Sequence, residues 1–231
     1  MKKAEVTRGY KFSDARLGTI AKEKIGLMRR DASAFTPFGV TAAGLTAFET
    51  SVNSFMNSVT DIEALADQVT ATAAKDAKAE QLRVAIRAVM TRVEAKYGTA
   101  SARYRKFGTS ELSQQPDSDL LITGKRVVRV GTLGLTDLAA NGLTAAMLAA
   151  ITTLCNEFDA LMLDAKLKAA DRDVIQEDRV EAGNAIYTQL VSYTTTGRNI
   201  WETSDLAKYN DYVIYNTVSG EAEAPEEPAN A

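Results

Sequence analysis

Arg83, Arg87, Arg92, Arg103, Arg105 and Lys106 fall in one stretch that also holds Tyr97, Tyr104 and Phe107. Cations interleaved with aromatic rings suit single-stranded nucleic acid: the cations meet phosphates and the rings stack on bases. Asp76, Glu80 and Glu94 sit in the same stretch, and the whole chain carries a net charge of -3. The local stripe argues for a polyanion; the global charge argues against one.

Other chemistries lack parts. The chain has no histidine, which removes the commonest general base and the commonest metal ligand. Carboxylate metal sites in helical bundles need inward Glu residues and Glu-x-x-His on two helices. Glu49, Glu63, Glu94, Glu157 and Glu181 instead stand off the apolar seams drawn below. Cys155, the single cysteine, lies beside Leu154 without a base and reads as a buried, inert thiol. No Gly-x-x-x-x-Gly-Lys-Ser/Thr and no Gly-x-Gly-x-x-Gly is present, so no loop is built to cradle phosphate. The sequence therefore points to no catalytic residue, no metal and no cofactor.

The elements that would carry these side chains are helices. Hydrophobic residues make up 45% of the chain and prolines number only 4, enough apolar content for one sizeable core or two small ones. Residues 1–38 form a basic arm. Within it Leu17, Ile20, Ile25 and Met28 allow one short amphipathic helix, stopped by Thr36-Pro37-Phe38-Gly39. A first long helix starts at Thr41, with Leu45, Phe48, Val52, Phe55, Val59, Ile62, Ala66 and Val69 at alternating steps of three and four. A second carries Leu82, Ile86, Val89, Val93, Ala100 and Phe107. A turn is expected between Ala71 and Lys78, because one helix through Phe107 would run about 100 Å.

Residues 113–133 break this pattern. Leu120–Ile122 and Val127–Val130 flank Thr123-Gly124-Lys125-Arg126 and predict a β-hairpin. A third helix is expected from Asn141 (Leu143, Met147, Ile151, Leu154, Phe158, Leu161, Ala165) and a fourth from Asp173 (Ile186, Leu190, Tyr193, Gly197, Ile200). Tyr212–Tyr215 predict a strand. Residues 219–231 are acidic and too poor in apolar groups to order themselves.

Two marks repeat. Gly44-Leu45-Thr46 returns as Gly142-Leu143-Thr144, and Phe107-Gly-Thr-Ser-Glu-Leu112 as Trp201-Glu-Thr-Ser-Asp-Leu206. An internal duplication follows. The expected fold is mainly α: a four-helix bundle of two duplicated hairpins with a small β element at one end. The expected divisions are an arm (1–38), a first repeat (39–112), a connector (113–133), a second repeat (134–218) and a tail (219–231).

Elimination leaves two functional classes ahead of an enzyme. The first is a structural or assembly protein. It would self-associate as a homo-oligomer, or pack with other assembly proteins into a larger particle such as a virion or surface layer. Its contacts would run through strand-forming segments at Val6, Tyr10 and Phe12 and at Tyr212, Val213, Ile214 and Tyr215. The second is a nucleic-acid or polyanion binder using the basic stripe of the second helix together with the basic N-terminal arm. Met1-Lys2-Lys3 is followed by no apolar h-region, and no run of 18 apolar residues is present, so synthesis in the cytoplasm without a membrane span is expected.

Overall fold

The computed structural model describes residues 6–215. It is mainly helical, and no strand occurs among the described residues. In chain order the helices are α1 (Asp14–Arg30), α2 (Ala32–Phe35), α3 (Ala42–Asn57), α4 (Asp61–Tyr97), α5 (Ala102–Arg105), α6 (Asp117–Leu133), α7 (Leu135–Leu138), α8 (Ala145–Trp201) and α9 (Leu206–Asp211).

The chain divides into two compact units. Unit 1 combines residues up to Thr60 with those from Val174 onward; unit 2 is Asp61–Asp173. Unit 1 packs Leu17, Ile25 and Met28 of α1 and Leu45, Phe48, Val52 and Phe55 of α3 with Ile186 and Leu190 of α8. Unit 2 packs Leu82, Ile86, Val89 and Val93 of α4 and Leu120 and Val127 of α6 with Leu148, Ile151, Cys155 and Phe158 of α8. Each set recurs at helical steps of three and four, which places its members on one face.

The order of elements repeats, in a register that differs from the one the repeated tripeptides suggest. Asp14 and Asp117 open α1 and α6, and they stand 103 residues apart. The same interval separates Phe35 from Leu138, Gly39 from Gly142, and Ala42 from Ala145, which ends or opens the corresponding elements. Gly39 and Gly142 each follow a 3-10 turn with φ of 80° and 82°, a conformation glycine adopts without a Cβ penalty. Gly44 lies inside the first turn of α3 and has no such role. Further along, the interval becomes 104: buried Leu82, Ile86 and Met90 match buried Ile186, Leu190 and Thr194. Tyr97 and Trp201 end the long helices, so Trp201 corresponds to Tyr97 and not to Phe107.

Thus repeat 1 (α1 to α5) and repeat 2 (α6 to α9) exchange parts. The first helices of each repeat pack with the last long helix of the other. One ion pair recurs with the register: Arg179 with Asp14 in unit 1, and Lys75 with Asp117 in unit 2.

Expectations of local structure are corrected at several points. The β-hairpin of 113–133 is helix α6. Its β-branched residues follow a helical rule, with Leu120, Leu121, Gly124, Val127 and Gly131 buried on one side, and burial overrides local β preference. Val6–Phe12 and Tyr212–Tyr215 are irregular or turn, not strand. The turn expected at Ala71–Lys78 is absent: α4 runs through this Ala- and Lys-rich stretch of good helix formers. The break comes at Ser58–Thr60. Likewise α8 passes Asp173 without interruption and begins at Ala145, after Thr144, whose Oγ1 accepts from Met147 N. The expected tail, 219–231, lies outside the described residues.

By length and composition, α8 contains a window of mean hydropathy 1.3 that would suffice to cross a membrane. Its buried residues Leu148, Ile151, Cys155 and Phe158 nevertheless occupy one face only, as in a core-packed helix.

Candidate interaction surfaces

The basic stripe of α4 is largely spent on the protein itself. Arg83 donates to Leu112 O at 3.3 Å and to Gln115 O at 3.2 Å. Arg92 donates to Gly142 O at 2.9 Å and Ala88 O at 2.6 Å. Arg87 pairs with Glu80 at 3.0 Å. These guanidiniums bind loop carbonyls and cap chain segments, a structural use of Arg donors. Arg103 lies over the Tyr97 ring at 5.1 Å and 4.0 Å from Asp137. Arg105 donates to Ala100 O at 2.6 Å. Both remain exposed, as does Lys106. The six cations therefore do not form one free face: Arg83 and Arg92 are turned onto the chain, and Arg87, Arg103, Arg105 and Lys106 are exposed.

The terminal segments also turn inward. Tyr10 is buried, its ring 5.7 Å from Tyr187 and its hydroxyl donating to Asp14 at 2.8 Å. Burial, together with that carboxylate, pushes its phenol up to about 12. The ring occupies the space that a side chain at Gly183 would need. Val6 and Phe12 are half-buried. Tyr212 is fully buried against Phe35, and its ring sits over Gly197 in the same way. Val213, Ile214 and Tyr215 are half-buried, with the Tyr215 and Tyr187 hydroxyls 2.8 Å apart.

Asp31 anchors this end of unit 1. Its carboxylate accepts from Arg30 at 2.8 Å and from the Tyr212 hydroxyl at 2.8 Å, and Lys208 lies at 3.3 Å. The Arg30 hydrogen bond, then those from Tyr212 and Lys208, outweigh burial and hold the carboxyl down at about 2. The Tyr212 phenol is pushed up, first by burial and then by Asp31. A carboxylate whose pKa is depressed by folding stabilises the fold above its ordinary value and loses that contribution as pH falls. For Asp31 the loss spans pH 3.8 down to about 2, and amounts to roughly 2 kcal/mol. Stability measured by denaturant from pH 5 to pH 2 should fall more steeply in wild type than in Asp31→Asn; parallel profiles would show that the network carries no such linkage.

A trough of about 670 Å³ opens on unit 1 between α3 and α8. Buried Phe55 and Ile186 line it together with Ser51, Ser54, Ala182 and Ala185, and with Asp178 and Arg179. Arg179 is committed: it pairs with Asp14 at 2.8 Å, stacks on Phe55 at 4.7 Å, and donates to Ser58 Oγ at 2.8 Å and to the carbonyls of Phe55 and Ser58. Sequence patterning gave no sign of this trough, because small residues on a helix flank leave no periodic signal.

Large apolar side chains stand in solvent on unit 2. Ile62, Leu65 and Val69 of α4 are 79%, 40% and 58% exposed, and Leu163 and Leu167 of α8 are 59% and 53% exposed. Ile62 and Val69 had been expected in a seam.

Among the described residues no group of His, Cys, Asp and Glu is placed to hold a metal ion. Cys155 is buried, and burial pushes its thiol up, away from the reactive thiolate. Comparison with family models, curated proteins and solved structures finds no match.

Proposed function

We propose that this protein is a non-enzymatic structural block, a helical bundle that self-associates or packs into a larger particle. The observation that supports this is the set of large apolar side chains left in solvent on α4 and α8, Ile62, Leu65, Val69, Leu163 and Leu167. Contiguous exposed apolar surface is a mark of protein–protein contact. The chemistry-bearing residues do not converge: the thiol is buried, the carboxylates are scattered, and the tightest ionic networks tie helices together. Contacts through the N-terminal arm and the C-terminal segment fall to Val6, Phe12, Val213, Ile214 and Tyr215, since Tyr10 and Tyr212 serve the core. Light scattering of the purified full chain at rising concentration tests the proposal. A species of several copies is expected, and a single-copy mass throughout would overturn it.

A second reading rests on exposed Arg103, Arg105 and Lys106 beside Tyr97 and Tyr104. Such a cluster would hold a polyanion weakly, with affinity dropping steeply as salt rises. Replacing the three cations by Glu should abolish any shift of single-stranded RNA at low salt; wild-type protein that gives no shift removes this reading.

A further inference from the structure

We infer that the trough of unit 1 receives the Leu163–Leu167 ridge of α8 from a second copy of this chain. The inference rests on the self-association proposed above and names its surfaces.

The duplication shows what such a face looks like when it is filled. In the 103-residue register, Ser51 and Ser54 of α3 and Ser58 just after it correspond to Leu154, Glu157 and Leu161 of α8. In the 104-residue register, Ala182 corresponds to Lys78 of α4. On unit 2 these positions hold half-buried Leu154 and Leu161, and Lys78 pairs with Glu157 at 2.8 Å. On unit 1 every one of these positions is Ser or Ala. The trough is thus a place where one repeat carries its own cover and the other does not.

The missing cover must be apolar. Although serines and a threonine line the trough, three of the four hydroxyls are engaged: Thr50 donates to Thr46 O, Ser51 to Ala47 O and Ser58 to Phe55 O. Hydroxyls turned onto their own helix present little more than carbon to a visitor. Small wall residues also let a helix approach closely, and helices in such grooves anchor by large side chains at steps of three and four.

Two exposed ridges have that spacing, and charge chooses between them. Ile62, Leu65 and Val69 are flanked by Asp61, Glu63 and Asp67; Asp61 and Asp67 pair with Arg172 and Lys168 of their own unit, and residues 61–74 supply no cation to face Asp178 at the trough. Ala160, Leu163, Leu167 and Ala170 are all exposed on α8, with exposed Lys166 on one flank and Asp164 on the other. Two leucines and a lysine facing an acid would reproduce the cover that unit 2 supplies from its own side chains. Trough and ridge are different surfaces, so the contact repeats head to tail and builds a ring or a filament.

Light scattering on three proteins decides the matter, with helicity by circular dichroism as the folding control. Ser54→Glu combined with Ala182→Lys plugs the trough with the pair found on unit 2. Leu163→Gln combined with Leu167→Gln removes the ridge from an exposed surface, where folding is insensitive to it. Each variant alone should remain at single-copy mass where wild type is larger by at least twofold. An equimolar mixture should stop at two copies, because only one trough and one ridge remain intact between them. If both variants assemble like wild type, this inference falls and self-association stands. If wild type itself stays at single-copy mass, both fall.

Discussion

Phe48→Ala and Phe158→Ala should each cost about 3–5 kcal/mol, the usual loss for a buried phenylalanine. Both rings are essentially inaccessible, at 1% and 0% exposure. They occupy opposite cores: Phe48 packs among α1, α3 and the later part of α8, and Phe158 among α4, α6 and the earlier part of α8. The two variants should therefore differ in where protection from hydrogen exchange is lost. Phe48→Ala should loosen residues 14–57 and 186–212 first; Phe158→Ala should loosen 79–93 and 120–158 first. Identical exchange patterns in the two variants would mean that the units are not separate cooperative bodies.

Arg179→Met should cost about 3 kcal/mol, at the low end for breaking a buried ion pair, because Asp14 keeps Arg8 at 2.9 Å and the Tyr10 hydroxyl at 2.8 Å. The side chains of Arg179 and Asp14 are 16% and 15% exposed, so the remaining carboxylate would be poorly hydrated. The loss has a second component. Arg179 is the donor that meets the carbonyls of Phe55 and Ser58 at the end of α3, groups that a helix C-terminus leaves without intrahelical partners. Chemical denaturation reads the total, and amide exchange in residues 52–60 reads the fraying of the last turn. A variant with wild-type stability and wild-type exchange in that turn would show the guanidinium to be dispensable.

Much of this architecture was legible in the sequence. The stripe Leu45, Phe48, Val52 and Phe55, the N-cap at Thr41 and the helix around Leu17 to Met28 all appear as read. The break after Asn57 was not legible, because Val59 and Ile62 continue the three-and-four spacing straight through it. At the end of α3 Ser58 turns extended and its N–H and Oγ donate to Phe55 O, and Arg179, more than a hundred residues away, donates to the same carbonyl. The strand reading of Val127–Val130 failed for a related reason: β-branched residues favour strands locally, but their burial against α4 and α8 follows a helical period. The duplication was visible through its glycine and leucine marks, but in the wrong register. Matching Gly44 to Gly142 compared a residue inside a helix with one in a left-handed cap. The basic stripe was located correctly as positions; its carbonyl acceptors on Leu112, Gln115 and Gly142 belong to loops that no spacing rule reaches.

The exchange of parts between the repeats sets an order of events during synthesis. Unit 2 is continuous in sequence, so its contacts can close once residue 173 has emerged. Unit 1 joins residues before 61 to residues after 173, so α1 and α3 must wait for a partner made last. Closing so long an intervening chain is slow relative to local pairing. Until then the apolar faces of α1 and α3 lack their third wall, and this interval is when the nascent chain is most exposed to wrong pairings.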